Sequence, residues 1–200
     1  MHHHNKWSGL VIAVIGMGLF SASTAQAESE PTIIKITPDA KLVKNATLTK
    51  HEMGLQLLSD GPKGGTVLTK LEEPITSGKV TFSLSYQSTR KNAGARNGFL
   101  LLGASEGLGN IITAGTFIGG RSHYIDVRSK EHNKSIKATI TEGQKINVVV
   151  TVDLDAKTIT LKIGEKNLET VLPDNFKTIR TVGYKAINTQ TAFSPITLTR

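Results

Sequence analysis

Residues 80–87, Val-Thr-Phe-Ser-Leu-Ser-Tyr-Gln, alternate strictly between apolar and polar side chains. Successive side chains of a β-strand point to opposite faces, so a period of two predicts a strand with one buried and one solvated face. Such half-buried strands are typical of antiparallel sheets. This stretch therefore favours an all-β protein.

A second region repeats the pattern as a hairpin. Residues 146–153 form an apolar-rich run, residues 155–157 make a polar turn, and residues 158–164 return with three apolar side chains on one face. Two such runs joined by a short turn predict an antiparallel hairpin. No stretch keeps apolar residues at helical spacing over three turns.

The other predicted strands are short and regularly spaced, with Gly, Asn, Asp and Pro between them. They lie at residues 33–36, 46–49, 54–58, 65–68, 98–103, 111–118, 123–128, 135–140, 181–185 and 196–199. About a dozen strands at this spacing are typical of a sandwich or jelly roll. The sequence thus predicts an all-β, antiparallel two-sheet jelly-roll sandwich.

The order of these elements resembles the concanavalin A-like jelly rolls, which include laminin G-like domains, legume lectins and several glycanases. The resembling residues are 78–82, 97–103, 150–155, 159–161, 182–184 and 193–196. The Val-Asp-Leu-Asp hairpin followed by Gly183-Tyr184 is similar to laminin G-like domains attached to secreted bacterial sulfatases and glycosidases. The resemblance implies an accessory domain, here standing alone.

The first 27 residues have the pattern of a secretory signal peptide. Lys6 precedes an apolar run at residues 10–20, and Ala25-Gln26-Ala27 forms a small-x-small cleavage site. The run is too short to span a bilayer as a helix, so no transmembrane segment is predicted. We expect cleavage near Ala27, a flexible lead at residues 28–32, one domain at residues 33–200, and a periplasmic or secreted protein.

The composition narrows the choice of partners and chemistry. The signal region contains the sole Trp, Trp7, and three of the six His, His2 to His4, which are either native or a cloning remnant. The chain has no Cys, which excludes thiolate nucleophiles and cysteine-ligated zinc. A formal net charge of +8 either favours acidic partners or serves solubility alone. Nucleic acid fits the charge but not the predicted compartment.

Candidate catalytic residues are few. Glu72 and Glu73 are adjacent and precede Pro74, so a loop is predicted there and no carboxylate pair of a glycosidase. His123 and Tyr124 are neighbours and would face opposite sides of a strand, which disfavours a lyase site. No catalytic residue and no metal ligand is predicted.

Two aspartates flank the predicted hairpin turn. Asp153 and Asp155 are favoured there for local hydrogen bonds to the backbone. Calcium, held by these residues or by Asp126, remains a weak alternative, and no other cofactor is expected.

The predicted ligand-binding site combines one strand face with one loop. Tyr124, Asp126 and Arg128 share a strand face, and the loop at residues 90–97 supplies Arg90, Arg96 and Asn97. If the loop overhangs that face, the two form a groove for an acidic polysaccharide, because Arg binds carboxylate and sulfate groups well.

Other functions stay open at this point. The basic residues could belong to two solvated loops with no site. The chain could also be a divergent glycanase or polysaccharide lyase, or a structural envelope protein that binds another protein.

Overall fold

A computed structural model describes residues 30–37, 40, 42–59, 61–88, 96–107, 109–119, 122–140 and 143–200. Within these residues the chain forms sixteen β-strands and no helix, and hence no helix that could cross a membrane. The strands are β1 (Thr32–Ile34), β2 (Leu42–Lys44), β3 (Thr47–His51), β4 (Gly54–Ser59), β5 (Gly65–Ile75), β6 (Lys79–Ser88), β7 (Arg96–Gly103), β8 (Ile111–Gly119), β9 (Ser122–Arg128), β10 (Asn133–Lys137), β11 (Ile146–Asp153), β12 (Thr158–Ile163), β13 (Lys166–Val171), β14 (Ile179–Ala186), β15 (Thr189–Phe193) and β16 (Ile196–Thr199). The predicted signal peptide at residues 1–27 lies outside the described residues.

The strands form two antiparallel sheets. The nine-stranded sheet has the order β13-β12-β11-β6-β15-β4-β3, with β16 also pairing with β6 and β1 pairing with β16. The seven-stranded sheet has the order β10-β9-β8-β7-β14-β5-β2. The predicted all-β two-sheet architecture is confirmed.

The core lies between the facing sides of the two sheets. On β6, Val80, Phe82, Leu84 and Tyr86 are all at most 5% exposed, as the alternation predicts. The predicted hairpin of β11 and β12 is also confirmed by their register. Burial of such side chains stabilises the fold by about 1.5–3 kcal/mol each.

Aromatic side chains join the two sheets at one point in the core. Tyr184 of the seven-stranded sheet stacks on Phe193 of the nine-stranded sheet, with ring centroids 4.5 Å apart. The Tyr184 hydroxyl donates a 2.6 Å hydrogen bond to the Ser194 carbonyl, and Tyr86 bonds Thr116 across the core. Burial raises the pKa of both tyrosines, so they stay neutral and keep these hydrogen bonds.

The loop predicted at Glu72 and Glu73 is wrong, because both residues lie in β5. The pairing of β5 with β14 shifts register between Ile179 and Thr181. Pro74 lies beside this irregularity, where its missing N–H breaks no regular ladder hydrogen bond. The strand therefore continues through a proline that the sequence pattern assigns to a loop.

Candidate functional site

A groove of about 380 Å³ lies on the outer face of the seven-stranded sheet. It crosses the strands from β2, at one edge, to β9. Five strand spacings of about 4.8 Å separate these two strands, so the groove runs for about 20–25 Å. The residues that line it are Lys44, Asn45, Lys63, Gly64, Thr66, Leu101, Ile111, Thr113, Arg128, Ser129 and Lys185.

Strand register brings these residues together from distant parts of the chain. On one row across the sheet, Arg128 pairs with Thr113, and Thr113 pairs with Leu101. On the next row, Lys185 pairs with Thr66, and Thr66 pairs with Lys44. Side chains of the same parity share a face, so both rows project outward into the groove.

The charged residues among the described lining are all cations, namely Lys44, Lys63, Arg128 and Lys185. Lys185 is half-buried, and its burial together with the nearby Arg128 guanidinium lowers its pKa. The groove thus brings positive charges together where the Lys185 ammonium group has already lost part of its hydration. An anion bound there would relieve the repulsion between Lys185 and Arg128.

Arg128 is held on two sides. Its Nε atom forms an ion pair with Oδ2 of Asp126, which is fully buried. Its guanidinium carbon lies 5.5 Å from the centre of the Phe117 ring, a distance typical of a cation–π contact. Ser135 donates a 2.8 Å hydrogen bond to Oδ1 of Asp126 and so fixes the carboxylate in turn. The Arg128 side chain is nevertheless 50% exposed.

The groove also offers neutral contacts. Asn45, Thr66 and Thr113 line the groove with amide and hydroxyl groups that suit polar ligands, whereas the Ser129 hydroxyl is engaged by the backbone of Glu131 and His132. Ile111, which is half-buried, provides an apolar part of the wall. Cations, hydroxyls and a short apolar strip together suit a ligand that is anionic and polyhydroxylated.

No family model matches the sequence, and no curated protein matches it. Solved structures do match the fold. The carbohydrate-binding module CBM66 from Bacillus subtilis is 13% identical with a TM-score of 0.59, over 87% of this chain and 98% of that one. Peanut lectin with a nine-residue peptide is 12% identical with a TM-score of 0.60, over 86% and 97%. Lectin II from Ulex europaeus is 13% identical with a TM-score of 0.58, over 86% and 99%.

The fold is the concanavalin A-like jelly roll. The resemblance drawn from the sequence is therefore confirmed at the level of fold.

The strand face predicted to carry the site is found on this jelly roll at β9. Ile125 and Val127 are buried in the core, so Tyr124, Asp126 and Arg128 point to the outer face as the alternation predicts. Their roles differ, however. Arg128 lines the groove, Asp126 lies buried beneath it, and Tyr124 pairs with Phe117 outside the described lining.

The predicted loop contributes less than its sequence suggests. Asn97 is fully buried, and its side-chain amide accepts a 2.6 Å hydrogen bond from the Ile187 amide and donates to the Ile187 carbonyl. Both groups are thus engaged in tying β7 to the end of β14, so we assign Asn97 a structural role instead of the predicted ligand contact. The backbone of Arg96 pairs with Ile118, and the side chain of Arg96 and all of Arg90 lie outside the described residues.

Sequence reasoning missed three of the four groove cations, Lys44, Lys63 and Lys185. Each is separated from Arg128 by at least 57 positions, and only the register of β2, β5 and β14 brings them together. The usable signal was the composition of β14, where Lys185 follows the uncharged run at residues 181–184. A charged residue inside a central strand indicates that one face of the sheet is open to solvent.

His123 faces away from the groove. It alternates with Tyr124 along β9, and its Nδ1 atom accepts a 3.3 Å hydrogen bond from the Ile140 amide. This geometry agrees with the prediction that His123 and Tyr124 do not share one face. The groove therefore receives no base from His123.

The two aspartates of the hairpin turn hold the backbone. Asp153 accepts hydrogen bonds from the amides of Asp155 and Ala156, and Asp155 accepts one from Gly78. The predicted turn role of these residues is confirmed. Among the described residues, no group of three or more His, Cys, Asp or Glu side chains could hold a metal ion.

A second cavity, of about 490 Å³, lies between β1 and the second half of β5. Its charged lining is mixed, because Glu30, Glu72 and Glu73 stand with Lys35, Lys70 and Arg200. Glu73 and Arg200 lie 3.9 Å apart, and Lys70 pairs with Glu106. This cavity lacks the single sign of charge that marks the groove.

Proposed function

We propose that this protein is a non-catalytic module that binds an acidic polysaccharide in the groove of the seven-stranded sheet. The observation that carries the proposal is the charge of the described lining, in which four cations face the groove and no carboxylate does. Such a groove attracts anions from solution and selects against cationic ligands. We further propose that the protein acts outside the cytoplasm, in the periplasm or after secretion.

The solved structures of the same fold support a glycan as the ligand. They include a carbohydrate-binding module and several lectins, one of them in complex with GalNAc. The fold alone is shared at this level of identity, so the groove of this chain must supply the specificity. Its hydroxyl and amide groups suit sugar hydroxyls, and its cations suit a carboxylate or sulfate on the sugar.

An acidic ligand fits this groove better than a neutral one. Neutral sugars are commonly bound by stacking on Trp or Tyr, and the described lining contains no aromatic residue. Binding must then rest mainly on charge and hydrogen bonds. We therefore expect the affinity to fall steeply as salt screens the cations.

Affinity electrophoresis tests the proposal. The protein is run at low salt through gels that contain polygalacturonate, dextran sulfate or neutral dextran. We expect retardation by at least one of the two acidic polymers and none by dextran, with release as salt is raised. Absence of retardation by both acidic polymers would overturn the proposal.

A pair of double variants locates the site. Lys44→Met with Lys63→Met removes two cations of the groove, whereas Lys50→Met with Lys162→Met removes two exposed cations of the nine-stranded sheet. Both variants lose the same charge. Only the first should lose retardation, and equal losses would assign the binding to net charge without a site.

The same polymers allow a check for turnover. A lyase or glycanase would shorten the chains, which viscometry and reducing-end assays detect. His123 faces away from the groove, which supports binding without cleavage. Cleavage that Asp126→Asn abolishes would replace the proposed function by an enzymatic one.

A further inference from the structure

The strongest feature that the proposed function leaves unexplained is the buried carboxylate of Asp126 beneath a groove for anions. Asp126 is fully buried and lies two residues from Arg128 on the same face of β9. A negative charge at this place weakens the attraction of the groove for an anionic ligand. Electrostatics alone therefore gives no reason for an acidic residue here.

The contacts of Asp126 suggest a reason. One carboxylate oxygen forms the ion pair with Nε of Arg128, and the other accepts the hydrogen bond from Ser135. The Phe117 ring supports the guanidinium from a second direction.

This arrangement leaves a defined part of Arg128 for the ligand. Oδ2 of Asp126 accepts no hydrogen bond, so Nε is engaged through the ion pair alone, and the two terminal nitrogens remain for an external partner. They form a planar fork that matches two oxygens of a carboxylate or a sulfate. A fork that is already held in place loses less conformational entropy when it binds.

We propose that Arg128 is the specificity-determining contact for the anionic group of the polysaccharide, and that Asp126 is its positioning residue. This inference rests on the proposed function and concerns the same groove. Net charge alone predicts that removal of the negative charge of Asp126 strengthens the binding of an anion. The inference predicts the opposite, namely that this removal weakens the binding.

The test compares Asp126→Ala with Glu165→Ala in their affinity for polygalacturonate and for dextran sulfate. Glu165 is exposed in the turn between β12 and β13. Each variant loses one carboxylate, so the net charge rises by one in both. Asp126→Ala should bind at least about tenfold more weakly than the unmodified protein. Glu165→Ala should bind equally or slightly more tightly, and equal or tighter binding by Asp126→Ala would overturn the inference.

A double-mutant cycle separates positioning from general damage to the fold. In an Arg128→Met background, Asp126→Ala should cause no further loss, because the residue that Asp126 positions is gone. A loss that persists undiminished in this background would overturn the inference. Asp126→Asn keeps an acceptor for Nε and should restore part of the affinity.

If Asp126→Ala does not fold, Ser135→Ala removes only the support of the carboxylate and should weaken binding by about threefold, and unchanged binding would overturn the inference. Retardation of the unmodified protein by polygalacturonate alone identifies a carboxylate as the anion, and retardation by dextran sulfate alone identifies a sulfate. Binding of neither polymer would overturn the proposed function itself, and the inference with it.

Discussion

The outer faces of the two sheets differ in kind although both cover the same core. On the nine-stranded sheet, small polar side chains pair with one another, as Thr81 does with Thr151 and Ser85 with Asn147. On the seven-stranded sheet, Leu68, Phe99 and Leu101 point outward and are at most 3% exposed, with cations above them. The first face pairs its small polar side chains and carries scattered cations such as Lys162, whereas the second gathers four cations in one groove, which is a property of binding surfaces.

The largest expected effect comes from truncating Leu101, the buried leucine on the outer face of the seven-stranded sheet. Leu101→Ala should lower the free energy of unfolding by about 3 kcal/mol, because a fully buried side chain leaves a cavity. Val149→Ala on the outer face of the nine-stranded sheet should cost about 1 kcal/mol or less, since Val149 is only half-buried. Urea titration measures both, and equal losses would mean that the two faces are buried alike.

The next test concerns the fork of Arg128. Arg128→Lys keeps the charge of the groove but replaces two planar donors by a single ammonium group. We expect about a tenfold loss of affinity for the acidic polymer that the protein binds. The conservative Lys162→Arg on the opposite sheet should leave the affinity unchanged. Full retention by Arg128→Lys would show that charge alone is recognised.

A smaller effect is expected at Lys185, where one substitution should change both the stability of the free protein and its affinity for acidic polymers. Its lowered pKa means that the charged form is disfavoured in the free protein, first by burial and then by Arg128. Lys185→Met should therefore stabilise the free protein slightly and weaken the binding of acidic polymers. Thermal unfolding and affinity electrophoresis measure the two changes. A destabilised variant would contradict the view that this charge is kept for binding.

The smallest expected effect is a dependence of affinity on pH. A bound anion favours the ammonium form, so it raises the Lys185 pKa from the lowered value of the free protein. Affinity should be constant below that lowered pKa and should fall as pH rises through it, by about two- to threefold, before ordinary lysines titrate near 10.5. In the described part of the chain, the charged groups that line the groove with Lys185 are Arg128, Lys44 and Lys63, and the buried Asp126 lies beside Arg128.

The control for this pH effect is Lys185→Met. Binding of a polyanion by this variant, measured at constant ionic strength, should lack the early fall and keep only the later one. The same early fall in both proteins would assign the effect to another group.

Much of the fold could be predicted because one-sided alternation identifies half-buried strands directly. β6 is the clearest case, since its four apolar residues are all buried and its polar residues face outward. The run Phe99-Leu100-Leu101-Leu102 in β7 shows no alternation, and it is buried on both faces. The short strands β2, β13 and β15 were not predicted, because strands of three to six residues with Lys, Glu or Gln among them carry little periodicity.

The candidate site could be predicted only where it is local. Alternation along β9 placed Arg128 outward correctly, since this depends on parity alone. The roles of Asp126 and Asn97 depend on partners at Ser135 and Ile187, and no sequence pattern shows these partners. The contribution of Lys185 depends on register between β14 and β5, which are more than 100 residues apart, and Lys44 joins it through the pairing of β2 with β5.

The pairing of β1 with β16 has a practical consequence. Thr32 lies opposite Leu198, so the first and last described strands leave the domain as neighbours in the nine-stranded sheet. The groove opens on the other sheet, away from both. A carrier attached just before β1 or just after β16 would leave the groove accessible, so the domain can be displayed on a bead or a fused partner without blocking its ligand. Since β1 and β16 are adjacent, a short linker could also join them and allow new termini to be opened in a surface turn.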